Sequence, residues 1–569
     1  MQKLKNILNN PLVLIWIVVA IILIPIIRPG FFSFHDETHI VDVYQMIRSL
    51  DLGGFPPRFA PDFNFNLGHP YFNFYYHLPF YITTFFYYLG FSMTAAYKYM
   101  LGLSVILAAA GFYLFLRNHI SKTSAVFGTL VYILSPYFAV DLYVRGAPGE
   151  MYILALFPWA AYTLNRYLKS PGSINLALAS IPVYLISISH NVLLPFVFSV
   201  LAFYGVLSLL ILKSKLRNYL NIIWPFLTGV LLSAYYLLPA LSEVKYISTY
   251  EQINIADHFP FIKQLLIPHW GYGPSIWGFL DDISFDIGTV NLLLLTASFG
   301  AFKFAKREFK YLLIFFWFIF ALAVVLMNIR TLFFWESIRF LRLVQFPWRM
   351  LLLTTISTAF ISALVVEVIS DKFKKYSFTF LTIIFLALIG LNIWHYHPSE
   401  YKEITDQRYL DLYFSNRDIV LGESPRFSQE YYNFTEDFIP PTIWQTKRPV
   451  GIPEKVKYAT GAAEISYDDY QINGLKYDIN YSTDEDNKLL IGKVYFPGWT
   501  ATQNGQPLNV EPYSEYGIVS VDIPRGKGSV HLSFEDTPVR MIANLISAFA
   551  AVLILVLLVG PLIKSSRKQ

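Results

Sequence analysis

The sequence predicts an α-helical polytopic membrane protein of about twelve transmembrane helices, with an external C-terminal β-sandwich domain. Three observations predict it. The 569 residues are 55% hydrophobic and only 15% charged, with mean hydropathy +0.45, whereas a soluble chain carries about a quarter charged residues. Windows of about 17–25 mostly apolar residues recur along the chain, each long enough to cross a bilayer core. Between residues 396 and 539 the apolar runs shorten, and alternating segments between turn signals take over.

The first run, "PLVLIWIVVAIILIPIIRPG", follows Lys3 and Lys5 and is followed by no small-residue cleavage site, so it is read as a retained helix. The predicted spans are 11–28, 97–116, 122–140, 150–167, 174–190, 191–212, 220–240, 287–304, 309–327, 348–368, 377–395 and 540–563. The basic loops "RNHISK" (117–122), "KSKLRN" (213–218), "KFAKREFK" (303–310) and "DKFKKYS" (371–377), with the tail "KSSRKQ", place that side in the cytoplasm. All five fit an alternating path with both termini inside, provided that 76–91 does not cross. That segment is expected to lie flat on the outer leaflet. Residues 29–96 then form one large external loop of a membrane domain, 1–395. Residues 396–539 form an extracytoplasmic β-rich domain, and 540–569 the last helix and a basic tail. The expected location is the plasma membrane.

The β-rich reading rests on "GLKYDINYS" and on the strands punctuated by Asn504-Gly505 and by Arg525-Gly526-Lys527-Gly528. Trp499 and Tyr516 are candidates for stacking on a glycan, although the core is the expected place for Trp499. Aromatic residues make up 18% of the chain and suit both an interfacial belt and sugar stacking. The net charge of +5 sits in loops and reports topology, not nucleic-acid binding. With no cysteine, disulfides, thiolate metal sites and cysteine nucleophiles are excluded.

Ionisable residues gathered at one side of such a protein are the pointer to function. The external side collects His35, Asp36 and Glu37, with His39 close behind. It collects Asp141, Arg145 and Glu150 in "DLYVRGAPGEMY", His190 and Asn191 in "SISHNVLL", and Arg339, Arg342 and Arg349 in "SIRFLRLVQFPWRM". Carboxylates can take a proton or hold a metal, and guanidiniums grip phosphate bidentately. Each has a plainer reading. Asp36 and Glu37 could be a solvated helix end, Glu150 could answer a helix dipole or pair with Arg145, and the arginines could be interfacial anchors. His190 could be a hydrogen-bonded turn residue. Asp281, Asp282 and Asp286 look like a solvated acidic run, with a divalent cation as the alternative.

The string "HDE" after the first helix, followed by a long loop and a flat helix, resembles the GT-C superfamily of integral-membrane glycosyltransferases. The strings "RGAPGE", "SHN" and "QFPWRM" are similar to a bacterial and archaeal membrane family named "6-pyruvoyl-tetrahydropterin synthase-related". So is the external "YFPGWTATQNGQPLNVEPYSEYGIVSVDIP". That name refers to a soluble zinc enzyme, and no matching histidine cluster occurs in the sequence. The GT-C resemblance implies a sugar carried on polyprenyl phosphate as donor, and an extracytoplasmic glycan, lipid or protein as acceptor. It implies Asp36 or Glu37 as the catalytic acid residue, with Asp141 or Glu150 as the second acidic position. On that pattern Arg145, Arg342 or Arg349 would hold the donor phosphate, with His35, Asp141, His190 and Asn191 in support. A divalent cation (Mg or Mn) would be held by Asp36, Glu37 or Glu150. No Gly-rich nucleotide-sugar loop competes with this reading. The alternative is a transporter, flippase or assembly scaffold for lipid-linked glycans, expected to show mid-membrane charges and paired broken helices.

Overall fold

The computed structural model describes residues 10–247, 254–278, 281–415, 456–458, 474–513 and 517–566. Helices dominate to residue 395. Leu12–Ile27 shows why they are membrane helices. Ile15, Val18, Val19, Ile22 and Ile26 are buried, while Trp16, Ile17, Ile21, Ile24 and Ile27 point outward. A helix apolar on all sides needs a lipid neighbour for the outward side. The terminal helix Pro538–Ser566 repeats the pattern, with Leu545, Phe549, Val552 and Leu555 exposed.

Among the described residues, six helices are long and apolar enough to cross a membrane: Met93–Arg117, Leu194–Ile211, Arg307–Leu326, Pro347–Lys372, Lys374–His395 and Pro538–Pro561. Leu12–Ile27, Ser173–Ser187 and Thr289–Ala301 are shorter apolar helices. Two predicted spans are not straight. The run 122–140 divides into Lys122–Ile133 and Pro136–Arg145, bent by 53°. Pro136 has no N–H to continue the ladder, and Ser135 starts the new helix. The run 220–240 divides into Leu216–Leu232 and Ala234–Tyr246, bent by 75°. There the Ser233 hydroxyl bonds back to the Gly229 and Val230 carbonyls, a contact that bends helices. Pro148–Lys169 is the central helix, buried along most of its length and packed on Met93–Arg117 and Ser173–Ser187.

The segment 29–96 is more than a loop. It holds the amphipathic helix His39–Asp51 and the helix Leu78–Tyr88. The latter has 11 residues, about 16 Å at 1.5 Å per residue, too short to cross a bilayer core. Phe80, Thr83 and Thr84 are buried, and Phe85, Tyr87, Tyr88 and Leu89 are exposed.

The C-terminal region is β-rich. Strands β1 (Phe31–Phe32) and β2 (Tyr401–Lys402) pair near the membrane domain. Beyond them, β3 (Val456–Tyr458), β4 (Lys476–Thr483), β5 (Asn487–Val494), β6 (Trp499–Gln503), β7 (Gln506–Leu508), β8 (Val510–Tyr513), β9 (Ile518–Ile523) and β10 (Gly526–Phe534) form two antiparallel sheets. Their orders are β4-β10-β6-β7 and β3-β5-β9-β8. Alternation explains them: in β4 every second residue is buried. Ile479, Leu532 and Ala501 of one sheet share a core with Leu489, Ile491 and Val521 of the other. Trp499 lies in that core, 5% exposed, its indole donating to the Val494 carbonyl at 3.1 Å. Trp499 thus takes the core place expected of it, and its stacking alternative is set aside. Tyr516 lies outside the described residues.

The sheets dock on the segment 29–96. Lys493 Nζ donates to the Pro61 and Asn66 carbonyls, each at 2.8 Å. Phe59 packs against Trp499 and Phe534. A buried charge cluster closes the junction. Arg540 Nε and Nη2 both lie 3.0 Å from Glu243 Oε2, which also accepts from Asn73 at 2.7 Å. Thr537 donates to Glu243 Oε1 at 2.8 Å, and Arg58 donates to the Tyr235 carbonyl at 2.7 Å.

Candidate functional site

Three sequence-distant segments meet at the end of the first helix. The chain leaves Leu12–Ile27 with Lys98 Nζ donating to the Arg28 and Gly30 carbonyls, at 2.7 and 2.5 Å. A lysine there answers the negative end of the helix. After β1, His35 N donates to the Val144 carbonyl at 2.9 Å and Asp36 N to the Arg145 carbonyl at 3.1 Å. The "HDE" turn is thus strapped to Val140–Arg145, which forms one π-helical turn. Such turns insert a residue and re-aim side chains.

Gly146 ends that turn at φ 63°. A Cβ there would lie 2.2 Å from Phe34 Cδ2, so both the left-handed backbone and the close approach of Phe34 require glycine. Pro148 then opens the central helix, leaving Glu150 in its first turn, where the helix dipole favours a carboxylate. Gly149 lets the His190 turn approach: a Cβ there would lie 2.7 Å from the Ser189 carbonyl oxygen.

Around Glu150 four charges close on one another. Glu150 Oε1 lies 2.8 Å from Arg145 Nη2 and 3.0 Å from Arg349 Nε. Glu150 Oε2 accepts from the Tyr137 hydroxyl at 2.5 Å, and Asp141 Oδ1 accepts from Arg145 Nη1 at 2.5 Å. Arg349 Nη1 donates to the Val344 carbonyl at 2.7 Å and to Gln345 Oε1 at 3.1 Å. Arg145 lies over the Trp348 ring. Two carboxylates against two guanidiniums make a neutral buried set, in which each charge is compensated. Asp141 Oδ2, His190 Nδ1 and Trp348 Nε1 are buried without a hydrogen-bond partner among the described residues. His190 stacks on Tyr76, with 5.5 Å between ring centroids, and Asn191 donates to the Phe74 carbonyl at 3.0 Å.

The adjacent acids of the first turn have different surroundings. Glu37 is buried and engaged at both oxygens: Lys402 Nζ lies 2.8 Å from Oε1, and the Tyr409 hydroxyl donates to Oε2 at 2.8 Å. It ties the turn to the segment after the helical domain. The Asp36 side chain is 30% exposed, and no described side chain donates a hydrogen bond to it. Among the described residues, the basic side chain within 4 Å of it is His39, with Nε2 at 3.9 Å. His35 Nε2 bonds the Tyr272 carbonyl at 2.9 Å, and burial lowers its pKa against the opposing effects of that carbonyl and of Asp36.

The remaining candidates lie apart. Arg342 is exposed, with Nε donating to the Glu336 carbonyl at 3.0 Å. The Arg339 side chain lies outside the described residues. Asp281 accepts from Gln264 Nε2 and Ile276 N, Asp282 from Tyr272 N and Gly273 N, and Asp286 from Gly288 N. They organise their loop by receiving backbone and amide hydrogens. Burial pushes Asp286 up to about 6. Among the described residues, no three His, Asp or Glu side chains converge to hold a metal ion. Asp36, Glu37 and Glu150 do not fit one together, because the oxygens of Glu37 and Glu150 are already taken by Lys402, Tyr409, Tyr137 and two arginines.

Sequence reasoning passed over Asp42, Tyr137, Lys402 and Tyr409. Asp42 stands three residues after His39, a helical spacing that would have paired them. Lys402 and Tyr409 reach Glu37 from more than 360 residues away, a contact that no local pattern carries.

Residues 72–281 match a family model described as a 6-pyruvoyl-tetrahydropterin synthase related domain, membrane protein. No curated protein matches the sequence. Among solved structures, the chain is similar to the arabinofuranosyltransferase AftD from Mycobacteria, at TM-score 0.47 and 14% identity over 71% of this chain and 28% of that one. It is also similar to the oligosaccharyltransferase of Archaeoglobus fulgidus, at TM-score 0.43 and 14% identity over 78% of this chain and 61% of that one. The chain therefore spans less than two thirds of either. These are partial likenesses, and the reading of the site stands on its own residues.

Proposed function

We propose that this chain is a membrane glycosyltransferase that moves a sugar from a polyprenyl-phosphate donor to an extracytoplasmic acceptor in the cell envelope, with inversion. One observation carries the reading: among the described residues no side chain donates a hydrogen bond to the part-exposed Asp36 carboxylate at the mouth of the helical domain, while Glu37, Asp42, Asp141 and Glu150 around it each accept at least one. A carboxylate in that state can take a proton. In the proposed reaction Asp36 accepts the proton of an acceptor hydroxyl as its oxygen attacks the anomeric carbon. The bond from that carbon to the phosphate oxygen breaks, and its electrons stay with the phosphate.

Arg145 and Arg349 are already committed to Asp141 and Glu150, so they act by fixing the turn under Asp36. Arg342 keeps donors to spare, but it lies apart from the Asp36 turn and is not assigned the phosphate of that donor. The donor's polyprenyl tail would lie in the bilayer, beside outward-facing residues such as Ile24 and Ile27. The plasma membrane, cytoplasmic termini and an external β-rich region belong to the same proposal, supported by the basic loops of one side. The chain has no cysteine, so single cysteines at Asn504 and Lys303 would report sidedness. The proposal expects an impermeant reagent on intact cells to label the first and spare the second.

The deciding experiment incubates the purified full chain with short-chain polyprenyl-phosphoryl sugars and follows release or transfer of the sugar. The second reading, a transporter or flippase for lipid-linked glycans, is favoured by the two bent helix pairs, at 53° and 75°. Movement of a fluorescent lipid-linked sugar across proteoliposomes without cleavage would select it.

A further inference from the structure

The membrane helix Arg307–Leu326 turns Ile314, Phe318, Leu322 and Val325 outward. They recur at helical spacing, on the stripe that a lipid neighbour covers. The run of exposed apolar residues does not stop where the helix stops. Ile329, Phe333, Phe334 and Ile338 carry it on through the short helix Leu332–Ser337. Phe333 is 57% exposed and Phe334 45%, with their ring centroids 4.0 Å apart.

The short helix is pinned from its other side. Trp335 is fully buried, its indole donating to the Leu326 carbonyl at 3.1 Å and its ring meeting Phe259 with 6.1 Å between centroids. The Thr331 hydroxyl donates to the Asn328 carbonyl at 2.8 Å. With Trp335 held inward, the two phenylalanines stay outward, a patch that is unfavourable in water and marks a contact. The charge around it has one dominant sign: residues 327–347 hold three arginines and one glutamate. Arg330 and Arg342 are exposed, and neither pairs with a carboxylate among the described residues. Large apolar side chains beside open guanidiniums are the pattern of an element lying in the headgroup boundary of a bilayer.

We propose that residues 329–343 are an interfacial arm. It beds Phe333, Phe334 and Ile338 in the lipid boundary at the outer end of Arg307–Leu326, and sets Arg330 and Arg342 on the phosphates of anionic phospholipids. The choice of leaflet rests on the sidedness proposed above, whereas the lipid contact stands apart from sugar transfer. The arm leads into Val344 and Gln345, which accept from Arg349 Nη1 at 2.7 and 3.1 Å. Through them the bilayer steadies one wall of the mouth cluster.

The test uses the full chain in lipid nanodiscs. The chain has no cysteine, so Phe333→Cys, Phe334→Cys and, as a control on the β-rich region, Asn504→Cys each carry a single nitroxide. At 333 and 334, collisions with oxygen should exceed collisions with a water-soluble nickel chelate several-fold, and at 504 the order should reverse. Ile338→Cys repeats the measurement where a phenylalanine variant does not fold. Nickel access at these positions equal to that at 504 overturns the proposal. So does protection confined to discs that hold two chains, which would make a second copy the occupant. In phosphatidylglycerol discs the labels should lie deeper than in phosphatidylcholine discs, and Arg330→Gln combined with Arg342→Gln should abolish that difference. A parent chain indifferent to the lipid, or a difference that survives both substitutions, overturns the headgroup assignment. Lipid-protected labels at 333 and 334, in a chain whose Asn504→Cys reacts only from the cytoplasmic side, would reject the sidedness reading alone.

Discussion

Two buried arginine–carboxylate clusters hold this protein together, and they differ in what they leave open. At the β-domain junction, Glu243 accepts at both oxygens from Asn73, Thr537 and Arg540, and the Arg540 guanidinium also reaches the Pro497 carbonyl at 2.9 Å. That junction joins four segments and ends there. At the mouth of the helical domain, the set of Asp141, Arg145, Glu150 and Arg349 is ion-paired as well, with Asp141 Oδ2 left without a hydrogen-bond partner among the described residues, and it carries on its edge a carboxylate to which no described side chain donates. Asp36 hangs from the Arg145 carbonyl by its backbone and keeps its side chain open. The difference shows that buried charge by itself marks a fastening. The functional candidate is the neighbour whose hydrogen-bonding capacity the fastening leaves unspent.

The comparison can be broken from the junction side first. Glu243→Ala strands Arg540 in a buried setting and should cost about 3–5 kcal/mol of stability, read as a large drop in melting temperature. A shift no larger than that of a surface substitution would mean the junction is solvated in solution. Glu150→Gln keeps the shape of the mouth cluster but leaves two guanidiniums facing a single Asp141. It should cost about 2–3 kcal/mol and disturb the Asp36 turn through Arg145. Unchanged melting would show that the cluster is not the fastening described.

The smallest effect lies in the acidic loop. Burial raises Asp286 to about 6 from an ordinary 3.8. A carboxyl raised on folding loses its proton more readily when unfolded, so stability falls as pH rises from about 4 to about 6 and stays lower above that. Asp286→Asn keeps the acceptor for Gly288 N and removes the buried charge. It should raise stability at pH 7.5 by about 1–2 kcal/mol and flatten that part of the pH profile. A steeper profile would contradict the assignment.

The membrane class and the place of the β-rich region were legible because apolar period and length are local properties. "SISHN", "RGAPGE" and "FPWRM" were legible as one group because charge at helix ends is costly and therefore informative. The bends at Ser135 and Ser233 were not, since a hydropathy window runs straight through a serine. Nor could spacing separate Asp36 from Glu37, because the partners that close Glu37, Lys402 and Tyr409, come from the far end of the helical domain. The arginines show the same limit. Arg145 and Arg349 look like phosphate ligands as residue types, but the fold spends them on Glu150 and leaves Arg342 exposed.

The central claim is that Asp36 and not Glu37 takes the acceptor's proton. The most direct measurement compares sugar transfer by Asp36→Asn and Glu37→Gln at matched folded protein, from the same polyprenyl-phosphoryl donor. Asp36→Asn should lose about two to four orders of magnitude in rate with melting temperature and donor binding retained. Glu37→Gln should keep most of its rate per folded molecule and show its loss in stability instead. Near-normal transfer by Asp36→Asn, with Glu37→Gln inactive but folded, would contradict the account.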